Sequence, residues 1–245
     1  MGRIGRTLSS GSNENEEILR GEYNHPPLSL SKGGLGGFVN GVQWGGEKMK
    51  KHRKAEVRRK TKETEVVLRL NLDGNGKHSI VTGIPFFDHM LSLLAYHSRL
   101  DLSLKAKGDI AVDAHHTVED VGICLGDGIR KALGEAKGIQ RYGMAMIPMD
   151  ETLVSVALDF SMRPWLVFQM KLRKSKIGTF NPELVEEFFK ALCNHARMTL
   201  HINLLYGRNS HHMVEAVFKG FGRALREAVS FDKRASQIPS TKGFL

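Results

Sequence analysis

A five-residue phrase occurs twice in this chain of 245 residues, and it is the feature that most constrains the fold. His-His-x-Val-Glu stands at His115–Glu119 and again at His211–Glu215, an interval of 96 residues. The same interval aligns three further pairs: Val121/Val217, Gly126/Gly222 and Arg130/Arg226. Self-similarity at a fixed interval is the signature of an internal duplication. The fold must therefore be one that two copies of a single unit can complete.

The hydrophobic pattern predicts the same order of elements in both halves. The first half has predicted strands at 56–71 and 79–82, a helix at 86–97, a strand at 100–105 and a helix at 114–133. The second half has predicted strands at 152–160 and 165–172, a helix at 182–197, a strand at 199–205 and a helix at 210–229. We therefore predict an α+β fold, in which a strand-strand-helix-strand-helix unit is duplicated and each half is a mixed sheet backed by helices.

The charge and composition place the domain boundaries. The net charge is +10, and residues 47–62 hold nine Lys or Arg against two Glu, so +7 of it lies in one short segment. Residues 1–48 are rich in Gly, Ser and Asn and show neither helical nor strand periodicity. We predict a disordered basic N-terminal extension at 1–52, a first repeat at 53–143 and a second repeat at 144–245. Alternatively, the native chain starts at Met49.

Other features of the sequence point to the cytoplasm. No apolar run reaches the roughly 18 to 20 residues that cross a bilayer, and the N-terminus lacks the apolar stretch of a signal peptide. Cys124 and Cys193 lie inside apolar helical patterns without the spacing of a metal site, so we expect buried thiols in a reducing compartment. We predict no membrane partner and a cytoplasmic location.

The repeated phrase also predicts a metal centre. Residues four apart share one face of a helix, whereas neighbours diverge by about 100°. His115 and Glu119 can therefore hold one ion together while His116 points elsewhere, and the second copy behaves in the same way. An offset of 98 aligns the earlier helices and sets His89 opposite Glu187. The eight candidate ligands are His89, His115, His116, Glu119, Glu187, His211, His212 and Glu215. Imidazoles and carboxylates without thiolates favour Mn, Fe, Co, Ni or Zn over Ca or Mg.

A second group of residues suits a phosphate, because Arg binds phosphate oxygens bidentately and Lys adds a point charge. Its members are Arg141, Arg163, Lys219 and the C-terminal stretch Ser240, Thr241 and Lys242. Lys219 lies one turn after Glu215, so it shares a helix face with the predicted ligands.

Six long motifs of this chain resemble the imidazoleglycerol-phosphate dehydratase family of histidine biosynthesis. They are RKTKET (59–64), TGIPFFDHML (82–91), GDIAVDAHHTVEDVGICLG (108–126), GIQRYG (138–143), HHMVEAVFKGFGRALREA (211–228) and IPSTKG (238–243). The likeness covers about residues 53–245 and implies two similar halves of the type seen in domain 2 of ribosomal protein S5. It also implies a hydro-lyase that removes water from D-erythro-1-(imidazol-4-yl)glycerol 3-phosphate to give 3-(imidazol-4-yl)-2-oxopropyl phosphate.

The resemblance further implies two Mn²⁺ ions per active site, with ligands drawn from more than one subunit of a trimer-based octahedral assembly of 24 copies. The first ion would be held by His89, His116, His211 and Glu215. The second would be held by His115, Glu119, Glu187 and His212. A ring with two nitrogens, such as the imidazole of the substrate, is a nearly symmetric ligand for two such sites.

The substrate contacts implied by the resemblance map onto Glu63, His89, His97, His115, His116, Arg141, Arg163, His211, Lys219, Ser240, Thr241 and Lys242. Glu63 is the candidate general acid or base, and the ligand carboxylates Glu119 and Glu215 are the alternatives. Two positions depart from the family pattern. Glu187 stands where some members have His, and Met162 stands where a Gly before Arg163 is common.

Two other functions compete with this interpretation. A dinuclear metal-dependent phosphoesterase would use two metals, but such sites are rich in Asp, whereas this one is rich in His. An RNA-binding module of the S5 type would use residues 47–62 as a basic arm. Because most of the excess charge is confined to that arm, we expect nucleic acid not to be the partner.

Overall fold

The structure is a computed structural model that describes residues 53–172, 176–234 and 237–243. Residues Met49–Leu245 form one compact unit. The predicted extension at 1–52 lies outside the described residues.

The described residues form eight strands and four helices. The first half contains β1 (Lys54–Lys60), β2 (Thr64–Asn71), β3 (His78–Val81), α1 (Pro85–Ser98), β4 (Asp101–Gly108) and α2 (His115–Leu133). The second half contains β5 (Tyr142–Met149), β6 (Thr152–Asp159), β7 (Trp165–Gln169), α3 (Leu184–Ala196), β8 (Thr199–Tyr206) and α4 (Ser210–Val229). None of these helices is long and apolar enough to span a membrane.

The two halves have the same sheet topology. The strand orders are β1-β2-β4-β3 and β5-β6-β8-β7. In each sheet the first three strands are antiparallel and the last pair is parallel, because a helix connects β3 to β4 and another connects β7 to β8. A parallel pair requires such a crossover connection. The predicted α+β fold with an internal duplication is confirmed.

The predicted repeating unit was one strand too short. Residues 56–71 were predicted as one strand, but the chain turns at 61–63, where Thr61 Oγ1 accepts hydrogen bonds from the backbone N–H groups of Glu63 and Thr64. No Gly or Pro marks this turn, so the pattern resembled a single strand. β5 was missed because Gly143, Ala145 and Pro148 have low strand propensity. It is an edge strand, where Pro is tolerated.

The junction between the halves also differs from the prediction. α2 ends at Leu133 and β5 begins at Tyr142, so the connection spans 134–141. The predicted division between residues 143 and 144 falls inside β5, which pairs with β6 along its whole length.

The four helices lie between the two sheets and pair across the halves. α1 packs on α4, which we term the first crossing, and α2 packs on α3, which we term the second crossing. A Cβ added to Gly222 would stand 2.8 Å from Leu94 O and 3.1 Å from His97 Cβ. One added to Gly126 would stand 2.7 Å from both Leu192 O and His195 Cβ. The offsets of 96 and 98 relate these contacts, so the duplication extends to the packing.

The helix starts are repeated as well. Asp113 Oδ1 accepts a hydrogen bond from the backbone N–H of His115 at 2.8 Å, and Asn209 Oδ1 accepts one from His211 at 2.9 Å. Such side chains satisfy N–H groups that have no partner in the first turn. Each pair of histidines is thereby fixed at the N-terminus of its helix.

Candidate active site

Three of the predicted metal ligands converge at the first crossing. His89 comes from the first turns of α1, and His211 and Glu215 come from the start of α4. Glu215 Oε2 lies 3.1 Å from His211 Nε2 and 3.7 Å from His89 Nε2. Ligand atoms about 2.1 Å from a common ion are about 3 Å apart when they subtend a right angle. The three side chains therefore have the spacing and the donor atoms of a metal centre.

Glu215 is kept ionised by its neighbours. Burial would by itself raise the pKa of this carboxyl, but the hydrogen bond and charge of Lys219 and the contact with His211 outweigh burial and lower the pKa. Lys219 Nζ lies 2.6 Å from Glu215 Oε1. A metal ligand must be deprotonated, so the lowered pKa suits the predicted role.

The second crossing presents the equivalent residues in a looser arrangement. His115 Nε2 lies 3.7 Å from Glu119 Oε2, one turn along α2. Glu187, which aligns with His89, stands near the start of α3, the helix that packs on α2. Its carboxylate lies 3.7 Å from Lys190 Nζ. Among the described residues, these three side chains do not close into a cluster of the kind formed at the first crossing.

The second histidine of each pair turns away from the first, as helix geometry predicts. The ring planes of His115 and His116 are 86° apart, and those of His211 and His212 are 81° apart. His116 Nδ1 lies 3.0 Å from Asp109 Oδ2, and His212 Nδ1 lies 2.8 Å from Glu151 Oε2. These hydrogen bonds raise the pKa of both histidines.

One chain therefore does not assemble either predicted set of four ligands. His116 does not join His89, His211 and Glu215, and His212 does not join His115 and Glu119, within the described residues. His211 and His212 instead line an open cavity of about 670 Å³ at the start of α4, together with Glu151 and Lys176.

The predicted phosphate-binding residues fall into two groups. Arg141, Arg163, Ser240, Thr241 and Lys242 line one cavity of about 860 Å³. Arg141 is held in place there, because its Nε lies 2.6 Å from Asp159 Oδ1 and its Nη1 donates to Pro239 O at 2.8 Å. The cavity brings together residues that are about 100 positions apart in the sequence.

Lys219 is the remaining predicted phosphate-binding residue, and it lies at the first crossing near His97, a predicted substrate contact. They are not among the described residues that line the cavity around Arg141. Burial lowers the pKa of His97, and the charges of Lys219 and Arg223 lower it further. His97 therefore lies close to Lys219, with its uncharged form favoured.

About four fifths of this chain matches known dehydratases. The profile of the imidazoleglycerol-phosphate dehydratase family matches residues 82–225. The dehydratase of an Exiguobacterium species is 58% identical over 193 residues, which are 79% of this chain and 98% of that protein. The dehydratase of Azorhizobium caulinodans is 59% identical over 194 residues, again 79% of this chain and 98% of the relative.

Solved structures give the same result. The crystal structure of imidazoleglycerol-phosphate dehydratase from Staphylococcus aureus superposes with a TM-score of 0.67 at 42% identity, covering 73% of this chain and 99% of that one. The Pyrococcus furiosus enzyme, solved with a ligand, gives a TM-score of 0.68 at 37% identity, covering 77% and 100%. The chain belongs to the imidazoleglycerol-phosphate dehydratase family. It is accordingly an enzyme, a carbon–oxygen lyase of histidine biosynthesis, as the motifs implied.

The described part of the basic segment is built into this dehydratase fold. Arg53 and β1 belong to the first half, and three of the arginines are paired: Arg53 with Asp73, Arg58 with Glu56 and Arg59 with Asp120. Family membership favours the dehydratase interpretation over the RNA-binding and phosphoesterase alternatives.

Both departures from the family pattern have a structural setting. Met162 has a φ of 58°, in the left-handed region that glycine adopts without strain. A glycine before Arg163 is therefore the less strained choice, and the methionine keeps the same turn. Glu187 takes the position of His89 at the other crossing, so it offers a carboxylate oxygen in place of a ring nitrogen.

Glu63 lies in the turn between β1 and β2 and is exposed. The pKa of His116 is raised mainly by its hydrogen bond with Asp109, and the negative charge of Glu63 adds to the rise.

Three side chains that contact the predicted ligands were missed from the sequence. Asp109 and Glu151 bind His116 and His212, and Asp150 Oδ2 lies 3.6 Å from His212 Nε2. A signal for Glu151 was present, because Glu151-Thr152 precedes β6 as Glu63-Thr64 precedes β2. Asp109 had no such signal, since the position is not repeated in the second half.

Proposed function

We propose that this dehydratase converts D-erythro-1-(imidazol-4-yl)glycerol 3-phosphate to 3-(imidazol-4-yl)-2-oxopropyl phosphate with two Mn²⁺ ions in each active site. The observation that carries the proposal is the convergence of His89, His211 and Glu215 at the first crossing, with equivalent positions at the second. Two similar centres suit a substrate ring that has two similar nitrogens.

The first ion would be held by His89, His116, His211 and Glu215, and the second by His115, Glu119, Glu187 and His212. Each set contains a residue that lies apart from the others within one chain. The sets become complete if neighbouring subunits exchange these residues. We therefore propose self-association into the trimer-based assembly of 24 subunits that the family resemblance implies.

Exposed apolar side chains on the sheets support self-association. Met144 and Met146 on β5 are 72% and 60% exposed, and Trp165 on β7 is 66% exposed. Contiguous apolar surface on a folded chain commonly marks a protein contact. These strands lie at opposite edges of the second sheet, so contacts on both sides of a subunit are available.

Bound ions would act as Lewis acids that favour loss of the N–H proton of the substrate's imidazole, and the electrons of the deprotonated ring would help to expel the neighbouring hydroxyl. The chain's own residues supply the rest. Arg163, Lys242, Ser240 and Thr241 would bind the phosphate in the cavity that Arg141 braces through Asp159. Lys219 would add a cation from the first crossing.

Proton transfer is assigned to Glu63. Glu215 already accepts hydrogen bonds from Lys219 and His211, and Glu119 is a proposed ligand that contacts His115. Glu63 is exposed and belongs to neither predicted ligand set. A positioned general acid or base contributes about 10² to 10⁴ in rate.

We further propose a cytoplasmic location. Cys124 and Cys193 are free and buried. Free cysteines in a core are compatible with a reducing compartment.

The test is reconstitution. Protein stripped with chelator should regain dehydration of the substrate on addition of Mn²⁺, and full Mn²⁺ occupancy without activity would contradict the proposal. Glu63→Gln should lower turnover about 10²- to 10⁴-fold with unchanged Mn²⁺ content. Glu65→Gln, an exposed carboxylate on the adjoining strand, is the matched control and should retain activity.

A further inference from the structure

We propose that Asp109 and Glu151 are positioning residues, which hold His116 and His212 so that the Nε2 atom of each ring faces a metal ion. The proposal rests on the proposed role of the two histidines as ligands. It concerns two carboxylates that belong to neither predicted ligand set.

The hydrogen bonds select one nitrogen of each ring. A carboxylate can only accept, so His116 Nδ1 donates to Asp109 at 3.0 Å and His212 Nδ1 donates to Glu151 at 2.8 Å. A neutral imidazole carries one N–H, and fixing it at Nδ1 leaves the lone pair on Nε2. Histidines that bind metals usually have such a partner, which sets both the tautomer and the ring orientation.

The first histidine of each pair is held differently. His211 and His115 approach the glutamate of their own helix through Nε2, at 3.1 Å and 3.7 Å. Their carboxylate partners are therefore proposed fellow ligands rather than anchors. The Nδ1 contact is thus shared by the two histidines that point away from the proposed ligands of their own helix. Asp150 is the further carboxylate near the His212 ring, on its Nε2 side at 3.6 Å, and its side chain is 71% exposed.

The two anchors come from positions that the duplication does not relate. Asp109 follows β4 in the first half, whereas Glu151 precedes β6 in the second half. The sequence counterpart of Glu151 in the first half is Glu63, which has the proposed acid–base role. Each half therefore makes the same Nδ1 contact through a different residue. A contact that was merely retained from the duplicated unit would use equivalent residues, so a functional requirement is favoured.

Glu151 also fixes the helix that carries its histidine. Its Oε1 accepts hydrogen bonds from the backbone N–H groups of Arg208 at 3.2 Å and Asn209 at 2.8 Å. One carboxylate thus joins the β5–β6 turn to the start of α4 and to the His212 ring. Ring position and helix position are set together.

The experiment measures Mn²⁺ binding by the full-length assembled protein, with free Mn²⁺ followed by electron paramagnetic resonance. Asp109→Ala and Glu151→Ala should each weaken binding about 10- to 100-fold. Asp109→Asn keeps an oxygen that can accept from Nδ1, so it should recover most of that loss. Glu151→Gln should recover less, because its single accepting oxygen cannot serve both His212 Nδ1 and the backbone N–H groups of Arg208 and Asn209. NMR of protein labelled with ¹⁵N-histidine should show the Nδ1–H tautomer at both rings in the parent and a mixture in the alanine variants.

Asp127→Ala is the matched control. Asp127 Oδ1 lies 3.1 Å from His195 Nδ1, the same kind of pair around a histidine that is not a proposed ligand. This variant should bind Mn²⁺ like the parent. An equal loss in the control, or parental affinity in both anchor variants, would overturn the inference.

Thermal unfolding of the variants and Mn²⁺ binding by the parent distinguish the ways in which the proposals could fail. Because Glu151→Ala also removes contacts at the start of α4, its thermal unfolding is compared with that of Asp109→Ala, which leaves that helix intact. If the parent itself binds no Mn²⁺, the proposed function fails. If the parent binds and the anchor variants bind equally well, only the positioning role fails.

Discussion

The two helix crossings share one backbone geometry but differ in how their charges are balanced. At the first crossing the Glu215 side chain is 10% exposed and Lys219 lies against it. At the second, the equivalent Glu119 side chain is 46% exposed, and Ile123 stands where Lys219 would be. His89 at one crossing is matched by Glu187 at the other. At the first crossing the carboxylate of Glu215 lies beside the ammonium group of Lys219, whereas the equivalent positions of the second crossing carry the carboxylates of Glu119 and Glu187.

The duplication preserved the helix spacing and packing that position the predicted ligands, whereas the charged side chains around each predicted site diverged. The spacing of His and Glu along α2 and α4 depends on helix periodicity, and the approach of the partner helix depends on Gly126 and Gly222. The charge around each centre depends on single side chains, so it diverged without disturbing the packing. Glu215 has a lysine one turn along its own helix and Glu119 does not, so the two proposed metal sites need not be equivalent in the reaction.

The largest expected difference concerns the two carboxylates in metal-free protein. Glu215→Gln leaves Lys219 with no counter-charge in a largely buried position and should cost about 2 kcal/mol or more of unfolding free energy. Glu119→Gln removes only an exposed contact with His115 and should cost under about 0.5 kcal/mol. Urea unfolding with chelator, at fixed protein concentration, measures both. Equal losses would show that the crossings do not differ in charge balance.

An intermediate effect is expected at the two glycines. Alanine at Gly126 or Gly222 would force backbone atoms of the partner helix apart, at about 1 to 3 kcal/mol for overpacking, less about 1 kcal/mol for better helix propensity. Gly126→Ala should cost more, because its three nearest atoms lie at 2.7 to 2.9 Å rather than 2.8 to 3.1 Å. The losses should add in the double variant, since the sites are separate. Thermal or urea unfolding checks the order.

The cysteines separate the two glycine variants further. Cys124 on α2 and Cys193 on α3 belong to the helices of the second crossing, and burial raises the pKa of each thiol to about 12. Thiol reagents at pH 8 should therefore label the native protein only through opening of that crossing. Gly126→Ala should accelerate labelling more than Gly222→Ala does, and the reverse order would contradict the assigned packing.

The smallest expected effect comes from giving the second crossing its missing lysine. Ile123→Lys would place a cation one turn after Glu119, in the favourable order of an i,i+4 pair worth about 0.2 to 0.5 kcal/mol. Loss of the partly buried isoleucine offsets this, so the unfolding free energy should change by less than about 0.5 kcal/mol. Differential scanning calorimetry against the parent measures it, and a large destabilisation would show that Ile123 has a packing role that Lys219 lacks.

Much of the fold was available from local pattern. α4 begins and ends at the predicted residues, Ser210 and Val229, because a capping Asn and a continuous apolar stripe both mark it. The divergence of His115 from His116, and of His211 from His212, followed from 100° per residue alone. β1 was not separated from β2 because the turn between them contains no Gly or Pro. β5 was missed because its residues have weak strand propensity.

The sequence by itself determined the duplication, the helices that carry the ligands and the direction in which each ligand points, since all of these depend on residues a few positions apart. Only the tertiary structure decided that α1 packs on α4 and α2 on α3, so that His89 of one half meets Glu215 of the other. It alone also brought Asp109 to His116 and Glu151 to His212. These choices depend on contacts between distant segments, which are set by the packing of the whole core and have no periodic signal along the chain.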